Sequence, residues 1–235
     1  MTDPVILVGR RRGDPWRERL WGWCRDFWTR ELGWEVVEGY HEDDGPFCLS
    51  VATNRAAERA GRWAVALLVG ADWTVADPEQ ARCAVECARS TGKLWFAHDE
   101  TVVLTEEATR ELLSDGGNPA DEEWREAAGS HHLNTFSGVQ AIPRQLWDRV
   151  GGFDARFRSW GFDDLSFWMA CSALGGYERV SGVSLHLWHP QVRALREDHP
   201  LYNENRALWE RYRDVKTDPA GMAALLAESG GPLDR

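Results

Sequence analysis

Short apolar runs alternate with capped, amphipathic helical segments over the first half of the chain, and this alternation constrains the fold more than any other feature. Val5-Ile6-Leu7-Val8-Gly9 suits a buried strand. Asp14 and Pro15 then supply an N-cap and a first-turn proline, Trp16, Leu20, Trp23 and Phe27 recur at helical spacing, and Gly33 suits the C′ position. Trp34 to Glu38 reads as a second strand, and the acidic turn His41 to Pro46 leads to a helix between Ser50 and Ala60. Ala64 to Val69 is a third strand. Asp77-Pro78 caps a helix with Ala81, Ala84, Val85 and Ala88 on one face, Gly92 ends it, and Leu94 to Ala97 is the next strand. Repeated strand-helix-strand units predict an α/β fold, with a largely parallel sheet covered by helices.

The 235 residues suffice for one well-packed domain with a helical tail. Helical patterns around Leu201, Leu208 and Tyr212 and from Met222 to Leu226 mark that tail, so residues 1–190 are expected to form the domain and 191–235 to pack on it. The 27 basic against 38 acidic residues leave a net charge of −11, which argues against nucleic acid or an anionic membrane as the main partner. Lysine occurs only as Lys93 and Lys216, an arginine bias expected of a high-GC bacterium or its phage. Five cysteines form no C-x-x-C pair, and their odd number leaves at least one thiol free, as suits a reducing compartment. The longest apolar run, Ala64 to Ala71, is far short of the ~20 residues that span a bilayer, and the N-terminus has no signal pattern, so a cytoplasmic protein is expected. Of the 14 tryptophans most are expected in the core, with some free to offer flat apolar faces to a ligand.

Three stretches carry chemistry. Arg10-Arg11-Arg12-Gly13 lies at a strand's carboxyl end, where open α/β sheets bind ligands, although a solvated basic turn reads the same. Between Phe136 and Leu165, an apolar strand ends at Pro143 and a helical turn runs to Val150. Gly151-Gly152 and Trp160-Gly161 then bend the backbone before Asp163 and Asp164 open a helix. Capping alone accounts for such a carboxylate pair; Trp160, between two bends and just before it, is placed to wall a ligand site. His186-Leu187-Trp188-His189-Pro190 sets two imidazoles three apart, able to face one cation if the chain turns, and imidazole with oxygen ligands suits manganese better than calcium. Ser114 to Glu123, rich in Gly, Asp and Glu, reads as a mobile loop able to order over a ligand.

From Phe136 to Asp164 the sequence resembles, without a gap, the donor and acceptor region of β-1,4-galactosyltransferases: Phe-Gly-Gly-Val, a helical turn, Gly-Phe, then Trp-Gly-Gly-Glu-Asp. Polypeptide N-acetylgalactosaminyltransferases carry a related element, so the likeness is to a branch of the GT-A glycosyltransferases, and it implies a GT-A (Rossmann-like) fold. It further implies that Asp72 stands in the metal-binding place of an Asp-x-Asp motif whose first aspartate is replaced by Gly70. His186 and His189, the latter preferred, would complete a site for Mn²⁺ (or Mg²⁺). Arg10, Arg12, Phe47 and Asn54 would contact the nucleotide, and Gly138 and Trp160 the sugar. Ser137 and Phe162 replace family glycines, and Phe162 needs room beside the sugar.

The resemblance implies transfer of a hexose (galactose, N-acetylgalactosamine or glucose) from a nucleotide-diphosphate sugar, a UDP-sugar first, to a hydroxyl. Asp164 would be the general base of an inverting reaction and Asp163 would hold the acceptor. The acceptor stays open among protein, lipid, polysaccharide and small molecule. A catalytically degenerate sugar- or nucleotide-sugar-binding protein of the same fold is the alternative. A metal-dependent hydrolase using the same Asp/His set leaves the glycine-rich stretch unexplained.

Overall fold

The computed structural model describes residues 3–42, 45–114, 117–121, 123–126, 128–190 and 199–229. The first half follows the expected alternation: β1 (Val5–Arg10), α1 (Pro15–Leu32), β2 (Glu35–Tyr40), α2 (Leu49–Arg59), β3 (Val65–Val69), β4 (Trp73–Val75), α3 (Pro78–Thr91), β5 (Leu94–Phe96) and β6 (Glu100–Leu104). Then come α4 (Glu106–Leu112), α5 (Glu123–Glu126), β7 (Ala128–Leu133), β8 (Val139–Pro143), α6 (Arg144–Val150), α7 (Asp163–Leu174), β9 (Tyr177–Arg179), β10 (Val183–His186), α8 (Pro200–Val215) and α9 (Pro219–Ala227). The caps work as their residue types dictate. Asp14 accepts from the Arg17 N–H, Asp77 and Gln80 form a capping box, and Gly33 closes α1 in the left-handed conformation. The loop expected from Ser114 to Glu123 and the expected boundary after residue 190 lie in part outside the described residues.

The main sheet runs β2-β1-β3-β8-β5-β9, and β8 alone among its strands is reversed, pairing antiparallel with both β3 and β5. A smaller sheet runs β4-β10-β6-β7. Strand periodicity sorts the core into two clusters. Ile6, Val8, Val65 and Leu67 pack with α1, α3 and the small sheet, whereas Val5, Leu7, Ala66 and Leu68 pack with α6, α7, α8 and α9. Tyr212, Met222 and Leu225 from the last two helices belong to this second cluster. Twelve of the tryptophans lie in or against the two clusters; Trp160 does not. No helix among the described residues is long and apolar enough to cross a membrane, and none of the cysteines is in a disulfide.

Candidate active site

Strand register builds the first part of the site. β10 pairs antiparallel with β4 so that His186 faces Trp73, and the Leu187 N–H donates to the Asp72 carbonyl at 2.9 Å. Asp72 is thereby set beside both histidines: His186 Nε2 lies 3.9 Å from Oδ1 and His189 Nε2 3.3 Å from Oδ2. One ligand atom from each of the three residues falls within 4.8 Å of the others. The turn carrying His189 is tied down at Trp188, whose N–H donates to Thr109 Oγ1 at 2.8 Å and whose carbonyl accepts from Trp16 Nε1 at 3.0 Å. Burial by itself would raise the pKa of Asp72, but His186, His189 and Arg17 outweigh it and hold the carboxyl at about 2. His189 is shifted down, chiefly by burial, with Arg17 working in the same direction against Asp72. A permanently charged carboxylate beside a neutral imidazole is a ligand set for a cation.

Arg17 escaped the sequence reading. It donates to Asp72 Oδ2 at 3.1 Å, and its other terminal nitrogen lies 2.9 Å from His189 Nδ1. The available signal was its place in the first turn of α1, just beyond the basic run. Trp73 is a second addition, and it explains Gly70. A Cβ at Gly70 would stand 2.3 Å from the indole of Trp73, and one at Gly138 only 2.4 Å from the same ring. The indole therefore fills the space between the two glycines and stacks on His186, with ring centroids 4.6 Å apart and planes 12° from parallel. An aspartate at position 70 would collide with it. Gly138 also needs its positive φ of 97°, and its carbonyl accepts from the Gly70 N–H at 3.1 Å.

The second part of the site is built on turns. Asp163 and Asp164 occupy the first turn of α7, as expected, and both are half-buried. Burial raises the pKa of Asp163 to about 6 although backbone N–H groups at the helix start pull it down. Burial also raises that of Asp164, and the neighbouring Asp163 charge adds to the effect. Ahead of them, Ser159 and Phe162 hold positive φ values of 65° and 72° on either side of Trp160-Gly161. Phe162, expected to need room beside the sugar, packs its ring on Tyr202 and Trp209 of α8, at centroid distances of 5.3 and 5.1 Å. Trp160 is 66% exposed. The two parts are joined through Phe136-Ser137-Gly138. Phe136 stacks at 3.9 Å on Trp168 of α7, while Gly138 lies against Trp73.

The expected nucleotide contacts have mixed placements. Arg10 is buried and paired with Glu18 and, at 2.9 Å, with Glu38. Arg12 is exposed with its guanidinium 3.7 Å over the Tyr40 ring, and Phe47 is half-buried, edge-on to His41. Asn54 is buried with its amide engaged at both ends: it donates to the Phe153 carbonyl at 2.8 Å and accepts from the Phe153 N–H at 2.9 Å. Its amide thus anchors the Gly151-Gly152 bend to α2.

No protein-family model and no curated protein sequence matches the chain. Solved structures do. The catalytic domain of Drosophila β-1,4-galactosyltransferase 7 in complex with xylobiose is 13% identical and superposes with a TM-score of 0.55, over 86% of this chain and 79% of that one. A mutant of the same enzyme in complex with manganese, UDP-Gal and xylobiose is 12% identical, with a TM-score of 0.50 over 76% of this chain. The match covers 64% of that chain, less than two thirds of its length. At such identities the likeness is one of architecture, and on that ground the chain has the GT-A glycosyltransferase fold.

Proposed function

We propose that this chain is a metal-dependent hexosyltransferase. It moves galactose, N-acetylgalactosamine or glucose from a UDP-sugar to an acceptor hydroxyl, with inversion at the anomeric carbon. The observation that supports this most is the convergence of Asp72, His186 and His189 within 4.8 Å on a fold shared with a structure solved with manganese and UDP-Gal. One carboxylate and two imidazoles, with both Nε2 atoms turned to the carboxylate, fit Mn²⁺, and the Arg17 guanidinium already occupies this corner as an internal cation. When bound, the metal neutralises charge on the departing diphosphate. Arg12 and Phe47 are the nucleotide contacts whose side chains retain exposed surface.

On the acceptor side, Asp164 takes the hydroxyl proton as the oxygen attacks opposite the diphosphate. Burial and the neighbouring Asp163 charge both raise its pKa, the direction that makes a carboxylate a better proton acceptor. Asp163 holds the acceptor, and Trp160 offers its exposed face to a pyranose ring. A sugar-binding protein without catalysis has no need of the raised carboxylate pair.

Melting the protein with UDP-sugars in the presence and absence of Mn²⁺ tests the reading. A donor that binds the folded chain raises its melting temperature with Mn²⁺ and not without it, and Asp72→Ala abolishes the rise. No stabilisation by any UDP-sugar with Mn²⁺, or an undiminished rise in Asp72→Ala, would overturn it. NMR of the product's anomeric configuration decides between inversion and retention.

A further inference from the structure

We infer that Asn205, in the middle of α8, is a positioning residue for the acceptor side of the site. It pins the turn from Arg158 to Gly161, and with it Trp160 and the helix start that carries Asp163 and Asp164. The inference rests on the reading above that this turn faces the acceptor. Asn205 is 2% exposed, and its whole amide is spent on the turn. Nδ2 donates to the Arg158 carbonyl at 2.8 Å and reaches the Trp160 and Gly161 carbonyls at 3.3 Å, while Oδ1 accepts from the Arg158 N–H at 3.1 Å. A buried amide is tolerated only when its hydrogen bonds are satisfied, and here one short turn satisfies them all.

That turn requires a clamp. Ser159 and Phe162 are L-residues in the left-handed region, and such conformations persist only where the surroundings over-determine them. Besides Asn205, the Ser159 backbone bridges to Cys48 ahead of α2, and Phe162 is stacked on Trp209. Between these anchors Trp160 stands out into solvent. On a loose turn the indole would fold back onto apolar surface; on a clamped one it stays presented, at a fixed relation to the carboxylates. Strain at a held turn beside a carboxylate pair is the pattern of a preorganised site rather than of a connector.

Fluorine NMR of the full chain labelled with 5-fluorotryptophan reads this directly, the Trp160 resonance being identified by its loss in Trp160→Phe. Asn205→Ala removes the clamp. Asn205→Asp keeps its size but sets a carboxylate where three carbonyls converge, so it serves also if the alanine variant does not fold. In either variant the Trp160 resonance is expected to shift or split, and that of Trp209, one turn along α8 and stacked on Phe162, can move with it, while the other tryptophans hold their positions. Calorimetric affinity for UDP with Mn²⁺ should stay within about twofold, as for distant sites. An unchanged Trp160 resonance in a folded variant, or movement of all the tryptophan resonances together, would overturn the assignment. If wild-type protein does not bind UDP with Mn²⁺, the proposed function fails while the Trp160 resonance still decides the role of Asn205.

Discussion

The two carboxylate sites of this molecule sit in opposite electrostatic surroundings. Asp72 is ringed by Arg17, His186 and His189 and is held at about 2; Asp163 and Asp164 have no comparable cationic partner among the described residues, and both are pushed up. The construction differs as well. Asp72 and His186 are placed by the register of two strands, whereas the Asp163–Asp164 pair hangs on a strained turn. A carboxylate that must hold a cation gains from permanent charge, and one that must accept a proton gains from a pKa near neutrality. Under the function proposed above, one chain would provide both by giving one site partners and denying them to the other.

Replacing Asp164 is the most direct way to break this contrast. Asp164→Asn keeps the shape and removes the basicity, so turnover should fall by roughly 10²–10⁴-fold with donor affinity nearly intact. A wild-type rate would remove Asp164 as the base. Arg17→Gln sharpens the other side: with the resident guanidinium gone from Asp72 and His189, Mn²⁺ should bind roughly tenfold tighter, the scale of changes next to metal ligands. Titration of Mn²⁺ by electron paramagnetic resonance reads this, and weaker binding would make Arg17 a support of the site rather than a competitor.

The smallest effect is on stability. Because the folded-state pKa of Asp163 is raised, folding favours its protonated form, so its contribution is most favourable at low pH and declines as pH rises toward about 6. Asp163→Asn should therefore melt a few degrees above wild type at neutral pH. The gain should fade as pH falls through about 6 and vanish near the ordinary aspartate value of about 4. A gain that persists at acid pH would point to packing instead of ionisation.

How much of this was legible depended on whether a residue acts through local pattern or through distant contact. Caps, strands and the reach of α7 follow from Asp14, Gly33, Asp77 and the Gly-Gly and Trp-Gly bends, each of which acts within a turn of its own position. Asp72 and the histidines could be put together only through the family likeness, because their approach is a product of β4–β10 pairing over more than a hundred residues. Asn205 lies in the tail, where the sequence offers only helical spacing. It sits at that spacing with Leu201, Leu208 and Tyr212, and an amide on that apolar face was the visible sign of a buried polar contact. The partner it contacts, some 45 residues away, was not visible. The stack of Phe162 on Trp209 is likewise a distant contact that no local pattern announces.

The indole wedged between Gly70 and Gly138 bears on the order in which this corner could change by mutation. Placing an aspartate at position 70 while Trp73 is present drives the new side chain into the ring, so that single step is closed. Shrinking Trp73 first opens a gap beside His186 and exposes the step to loss of the stack. The two positions are therefore coupled, and an aspartate at 70 requires a smaller residue at 73 as well.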